Sequence, residues 1–256
     1  MVIPKNVSTK AQVSSEYLSQ QKEKYGNVPW NQDCCVLVTG TKFPDSIGAH
    51  IASSLLSRGR PVKTYNEDLL TSNLESEELG YTALVMCHGA TYLEWFEEAP
   101  LAELHNVLDV NLKATVNLVQ AYVKQTKDLR ERKKIIAIGS MAYNHPLNGS
   151  AVYCASKAGL AMLMKCLAWE LAPKGYDVYC IHPSNVADTP MTRETIQGLI
   201  RYRNLSVAEA INYWNDSPIR DCILTKQEIA GLVSYLLSPN TGYLSGAQLE
   251  LGGGQR

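Results

Sequence analysis

The 256-residue chain has no excess of charge of either sign: 24 Lys and Arg stand against 25 Asp and Glu, a formal net charge of -1. That balance argues against a nucleic-acid partner and against an anionic membrane surface. No C-x-x-C pair occurs, and the seven cysteines are an odd number at irregular spacings. Such usage argues against a disulfide framework and for reduced thiols in a cytoplasmic protein. No metal site is expected. The first residues lack the apolar segment of a secretory signal, and no run of 18 apolar residues crosses a membrane by itself. Neither an internal repeat nor a low-complexity segment is present.

Residues 1–32 are polar and read as an arm outside the main fold, with a helix possible over 14–24. Residues 33–256 read as one domain. CCVLVTG, PVKTYN, YTALVMCHG, KKIIAIGS, DVYCIHPS and AQLELGGG are short apolar runs of the kind that form buried strands. Between them, IGAHIASSLLSRG, residues 101–127 and residues 151–172 read as helices. Thr225-Lys-Gln-Glu228 opens another through Leu237, because Thr and Glu three apart can cap a helix reciprocally. Strands alternating with helices predict a parallel sheet covered on both faces, a doubly wound α/β (Rossmann-type) fold.

Two segments carry chemistry. The first strand runs into Gly40-Thr-Lys-Phe-Pro-Asp-Ser46-Ile-Gly48 and then a helix. Free N–H groups and the helix dipole at such a turn favour a phosphate, although this is not a clean G-x-G-x-x-G. The second is YCASK. Tyr153 and Lys157 lie four apart, on one face of a helix. A neighbouring ammonium favours a phenolate, so the pair can act as a general acid and base near neutral pH.

In order and spacing these segments resemble the short-chain dehydrogenase/reductase family. The resemblance covers roughly residues 34–254. VTG…IG is similar to that family's T-G-x-x-x-G-x-G turn, LVMCHGA to its L-V-N-N-A-G strand end, and DVNL to the helix segment with its active-site asparagine. IIAIGS ends in Ser140, 13 residues before Tyr153, and YCASKAG matches the family core. HPSNVADTPMT and YLSGAQLELGGG resemble its later segments.

The resemblance implies the catalytic residues Asn111, Ser140, Tyr153 and Lys157. Tyr153 would transfer a proton to or from the substrate oxygen. Lys157 would lower the tyrosine pKa and hold the nicotinamide ribose. Ser140 would bond the substrate carbonyl, and Asn111 would hold a water linking Lys157 to solvent. It also implies cofactor contacts at Gly40, Lys42, Ser46, Ile47, Gly48, Asn66, Glu67, Cys87, His88, Gly89, Pro183, Val186 and Thr189, besides Tyr153 and Lys157. His88, Met141, His145 and Asn185 would line the substrate.

The departures matter as much. The glycine turn is two residues longer than usual, with Ser46 in place of a glycine. Met86, Cys87 and His88 replace Asn-Asn-Ala. Only about twenty residues separate Asn66 from Met86, so the family's third strand is expected to be lost or minimal, and with it part of the adenine pocket. Residues 190–224 read as a long substrate lid in which Tyr202, Tyr213 and Trp214 cover the substrate. Near the end of the second strand, Glu67 and Asp68 should repel a 2′-phosphate while Lys42 attracts one, which leans the cofactor from NADP(H) toward NAD(H).

The expectation is an NAD(P)-dependent oxidoreductase that interconverts an alcohol and a carbonyl, such as a biosynthetic ketoreductase. A C=C reductase or isomerase is the alternative on the same fold, and a non-catalytic cofactor-binding regulator is the alternative of another class. The partners expected are a small-molecule substrate and further copies of the chain, as a homodimer or homotetramer packed through helices 101–127 and 151–172 by Ala155, Ala158, Ala161 and Ala168.

Overall fold

The computed structural model describes residues 35–79, 81–215 and 223–254; the arm expected over 1–32 lies outside them, as does part of the lid. The strands are β1 (Val36–Thr39), β2 (Val62–Tyr65), β3 (Ala83–Met86), β4 (Lys133–Ile138), β5 (Tyr176–Pro183) and β6 (Gln248–Leu251). They form one parallel sheet in the order β2-β1-β3-β4-β5-β6.

Every residue of β1, β3, β4 and β5 is buried, which explains why these segments read as continuous apolar runs rather than as alternations. Successive side chains still point to opposite faces. Leu37, Leu84, Ile135 and Val178 join one core with α3 (Ala114–Thr126) and α4 (Ala151–Leu171). Val36, Val38, Val85, Ile136 and Ile181 join another with α1 (Ile47–Ser57) and α7 (Lys226–Leu236). The sheet is therefore doubly wound. By length and composition α4 matches a membrane span, yet its Tyr153, Lys157, Leu160 and Met164 are buried, and it packs on β5 as a core helix.

Among the described residues the shortened stretch after β2 adds no strand to the sheet, and β2 is its edge, with Lys63 and Thr64 exposed. In place of a further strand the segment forms turns that bury Leu69, Leu74 and Leu79. The side-chain amide of Gln125, on α3, pins this segment. Its oxygen accepts from the Leu79 N–H at 2.9 Å, and its nitrogen donates to the carbonyls of Glu77 at 2.9 Å and Leu74 at 3.3 Å. One side chain thus supplies bonds a neighbouring strand would have made.

The long helix expected over 101–127 is divided. α2 (Leu101–Leu108) passes into a wide π turn, Asp109–Lys113, before α3 begins. Such turns insert one residue into the helical repeat and occur often at functional sites. This one carries Asn111. The lid is more regular than expected: α5 (Pro190–Arg203) and α6 (Val207–Asn215) occupy it.

Candidate active site

The C-terminal ends of β1, β3, β4 and β5 open into one cavity of about 610 Å³. Gly40, Lys42, Ser46 and Ile47 border it from the glycine turn, and Cys87, His88 and Gly89 from the end of β3. Ser140, Met141, His145, Tyr153 and Lys157 form its floor, and Pro183, Asn185, Val186 and Thr189 close it from β5 and the lid. Most residues expected at the site therefore meet in one place. A smaller cavity of about 140 Å³ adjoins the other side of Tyr153, between the 92–99 loop and the start of α4.

Gly48, Asn66, Glu67 and Asn111 do not face the main cavity. Gly48 packs α1 onto the turn: a side-chain carbon there would lie 2.6 Å from the Gly40 carbonyl oxygen. Gly40, at φ +69°, is required for the same reason, since a side-chain carbon would meet the Cys87 carbonyl carbon at 2.5 Å. Asn66 is used internally, its side-chain oxygen accepting from the Thr41 hydroxyl at 2.7 Å and the Thr41 N–H at 3.2 Å. Asp68 is likewise engaged: its carboxylate accepts from the Leu70 N–H and the Thr71 hydroxyl, both at 2.9 Å. These bonds hold its pKa down, so the carboxylate stays anionic while it closes a local turn.

The site suits a pyrophosphate-bearing ligand. Ser46 caps α1, accepting from the Ala49 N–H at 3.1 Å and donating to the Gly40 carbonyl at 2.9 Å. That leaves the first two amides of α1, Ile47 and Gly48, at its open end. Across the cavity Thr189 caps α5 by accepting from the Thr192 N–H at 3.0 Å, with Pro190 in the first turn. Two helix N-termini and the two closely packed glycines make a cradle for an anion. Turn and lid are tied at its rim. Arg193 pairs with Asp45 at 2.5 Å, and Lys226 donates to the carbonyls of Asp45 at 3.1 Å and Asp188 at 2.8 Å.

Around the reacting centre, Ser140 follows β4 and opens a short helical turn, its hydroxyl accepting from the Ala142 N–H at 3.2 Å. His182 supports it from below, with Nδ1 3.0 Å from the Ser140 carbonyl oxygen and Nε2 2.8 Å from the Gln248 side-chain oxygen. Burial raises the Tyr153 pKa, and a hydrogen bond with Ser140 opposes the rise. Lys157 is also buried, and desolvation brings its pKa down to about 8. Its ammonium donates to the Ile138 carbonyl at 3.3 Å and lies 5.7 Å from the centre of the Tyr153 ring. The direct lowering of the Tyr153 pKa by Lys157 is thus not what this geometry gives: the ammonium faces a carbonyl, and burial governs the phenol.

Asn111 is a buried clamp. Its side chain accepts from the Ala90 N–H at 2.8 Å and donates to the Ala90 carbonyl and the Ser156 hydroxyl, both at 2.9 Å. Both ring nitrogens of His88 are bonded inside the protein, to Thr39 and Thr115, so it lines the cavity without offering a polar group to it. Cys87 is a half-buried thiol whose pKa desolvation pushes up to about 12, which makes it an unreactive wall. Of the three lid aromatics, Trp214 faces the cavity. Tyr202 is buried in a satellite core with Leu93 and Leu199, and Tyr213 is half exposed. Sequence reasoning missed Thr39, Thr115, Ser156 and His182, although Thr39 lies inside VTG, Ser156 inside YCASK and His182 at the head of HPSNVADTPMT; only Thr115 stood outside the motifs already singled out.

The family model for short chain dehydrogenases matches residues 77–199. The vibriobactin-specific 2,3-dihydro-2,3-dihydroxybenzoate dehydrogenase of Vibrio cholerae is 29% identical over 175 residues, 68% of this chain and 66% of that protein. The L-2,3-butanediol dehydrogenase of Corynebacterium glutamicum is 26% identical, over 68% of this chain and 67% of that one. The chain spans between about half and two thirds of the length of the curated relatives it matches. Among solved structures, an actinorhodin polyketide ketoreductase with NADPH superposes with a TM-score of 0.78 at 22% identity, covering 88% of this chain and 98% of that one. At that identity the likeness carries the fold. Fold, motif order and the match over residues 77–199 agree in what this chain is similar to: short-chain dehydrogenases and reductases.

Proposed function

We propose that the protein is an NAD(P)-dependent oxidoreductase that interconverts an alcohol and a carbonyl in a small molecule. The observation that carries this reading is the meeting of Ser140, Tyr153 and Lys157 on the floor of a cavity whose opposite walls are two helix N-termini. The nicotinamide cofactor supplies or accepts the hydride when bound. Gly40 and Ile47 would receive its pyrophosphate from one side and Thr189 from the other. The catalytic domain is residues 33–256, with 190–224 as its lid.

In this reading the Tyr153 hydroxyl exchanges a proton with the substrate oxygen, and Ser140 donates a hydrogen bond to that oxygen as charge develops on it. Lys157, with a pKa of about 8, titrates near working pH. It would hold the ribose of the bound cofactor and replenish the Tyr153 proton. Asn111 holds the Gly89–Ala90 backbone in place beside it.

His145 would orient the substrate. Its Nδ1 lies 3.2 Å from the Met141 carbonyl, an acceptor only, so Nδ1 donates there and Nε2 is left as an acceptor toward the cavity. A substrate with a second hydroxyl beside the reacting carbon suits that acceptor. Cofactor choice rests on Glu67 and Asp68 against Lys42, and we place it on the side of NAD(H) by a small margin. The protein would work as a homo-oligomer in a reducing, cytoplasmic compartment. The cysteines at 87, 154, 166 and 180 are free thiols, which supports that reading.

Calorimetric titration with NAD and NADP, followed by turnover of hydroxy- and keto-substrates, tests the reading. Cofactor binding with carbonyl turnover supports it. Binding with no turnover would favour a regulator that keeps the fold.

A further inference from the structure

The end of β3 departs from the family's pattern at His88, and the hydrogen bonds around that residue can be assigned a direction. Thr115 donates its hydroxyl to the Asn111 carbonyl at 3.1 Å. Its oxygen therefore has only lone pairs left for His88 Nε2, 3.0 Å away, so Nε2 carries a proton. The Thr39 oxygen accepts the Cys87 N–H at 3.3 Å and is free to donate its own proton to His88 Nδ1 at 2.8 Å. Every bond then has one donor and one acceptor with the ring neutral. Burial, and the neighbouring Lys157 ammonium, press the same way and bring the His88 pKa down to about 4.

The path continues beyond Thr115. Asn111, whose carbonyl Thr115 holds, grips Ala90 through both backbone groups and donates to Ser156. Ser156 in turn donates to the Tyr153 carbonyl at 2.7 Å. One chain of bonds thus runs from the end of β1 to the first turn of α4. A π turn exchanges the i→i+4 bonds of the helix for wider i→i+5 ones, and here Thr115 and Asn111 tie it to its surroundings.

We infer that His88 is a positioning residue: a neutral, Nε2-protonated imidazole that ties β1 to the π turn and so fixes Asn111, the Gly89–Ala90 backbone and the Tyr153–Lys157 face. Its kinetic consequence rests on the proposed reaction; its tautomer does not. It touches neither substrate nor cofactor through a polar atom, which is the physical reason it is not a substrate ligand.

Two variants separate the arms of the network. His88→Gln can offer an N–H near the position of Nε2 and so keeps the Thr115 bond. His88→Asn can offer an acceptor near Nδ1 and keeps only the Thr39 bond. If the Thr115 arm positions the site, His88→Asn lowers kcat roughly tenfold with the cofactor KM within about twofold of wild type, while His88→Gln recovers most of the loss.

The decisive measurement needs no turnover: nitrogen NMR of the full-length protein labelled in its five histidines, with the His88 signal assigned by its loss in His88→Gln. The expected result is a bare Nδ1 and a protonated Nε2, unchanged from about pH 5 to about pH 8. An Nδ1-protonated ring, or one titrating near its ordinary value, overturns the inference. So does equal kcat in the two variants. A wild type that binds cofactor and turns over nothing sinks the proposed reaction and leaves the NMR result to decide the network.

Discussion

The Lys157 ammonium donates to the Ile138 carbonyl at 3.3 Å, one strand end away from the tyrosine whose chemistry it is expected to serve. A buried cation with a single carbonyl partner is costly to keep, and its pKa of about 8 expresses that cost.

Stability should therefore depend on pH in a defined window. Lys157 has a lower pKa folded, about 8, than its ordinary 10.5. Below pH 8 the amine is charged in both states and the burial penalty is present in full. Between the two values the unfolded chain holds the extra proton, so stability rises with pH, by on the order of 3 kcal/mol in total. Lys157→Met should remove the penalty at neutral pH, raising stability by roughly 1–3 kcal/mol while abolishing activity. Denaturant titrations at pH 7 and near pH 9.5 check both points. A Lys157→Met protein less stable than wild type would show that the Ile138 bond outweighs desolvation.

The clamp that replaces the missing strand should be equally measurable. Gln125→Ala leaves the Leu79 N–H and two carbonyls without their partner. The expected cost is about 2–3 kcal/mol, with faster amide exchange confined to residues 74–79. Unchanged exchange there would mean that burial of Leu74 and Leu79 holds the segment by itself.

Much of the fold could be read in advance, because four strands buried on both faces read as largely apolar runs and, with the edge runs of β2 and β6, alternate with helices. The expectation of no third strand also stood, since about twenty residues cannot carry a strand and a helix and still return to β3. The lid helices were missed although both carry readable caps: Thr189 before Pro190, and Ser206 with Glu209, whose side chains and amides bond reciprocally. The π turn was beyond reach, since one inserted residue barely disturbs the helical period. His88 shows the limit for the site. Its partners lie 49 and 27 residues away, so the sequence offered no sign that both ring nitrogens were taken.

Cofactor preference is the balance of the carboxylates of Glu67 and Asp68, the latter held in its own turn, against Lys42. With these acids set against Lys42, NAD should bind more tightly than NADP by no more than ~10-fold at moderate salt. Glu67→Gln should narrow the gap and Lys42→Ala should widen it, both by calorimetric titration. Tighter NADP binding by the wild type would assign the choice to Lys42.

The surface of α4 points to self-association, though not through the face first expected. Ala161 and Ala168 are buried within the chain, whereas Ala155 and Ala158 are exposed on the side that carries Met162, 58% exposed, and Trp169, 88% exposed. A stripe of that kind suits a symmetric helix-to-helix contact. Met162→Glu with Trp169→Glu should convert a dimer or tetramer to a species near 28.3 kDa in sedimentation. A wild type already at that mass would contradict the proposal.

Tyr153 tests the central claim most directly. Tyr153→Phe removes one hydroxyl from a side chain that is buried at the cavity floor, and leaves both helix N-termini and the glycine turn intact. On a carbonyl substrate found by screening the wild type, kcat should fall by at least ~10²-fold, with the cofactor Kd within about twofold of the wild-type value. A Tyr153→Phe protein that binds cofactor and turns over at close to the wild-type rate would show that the proton goes elsewhere, and the assignment of this site would be wrong.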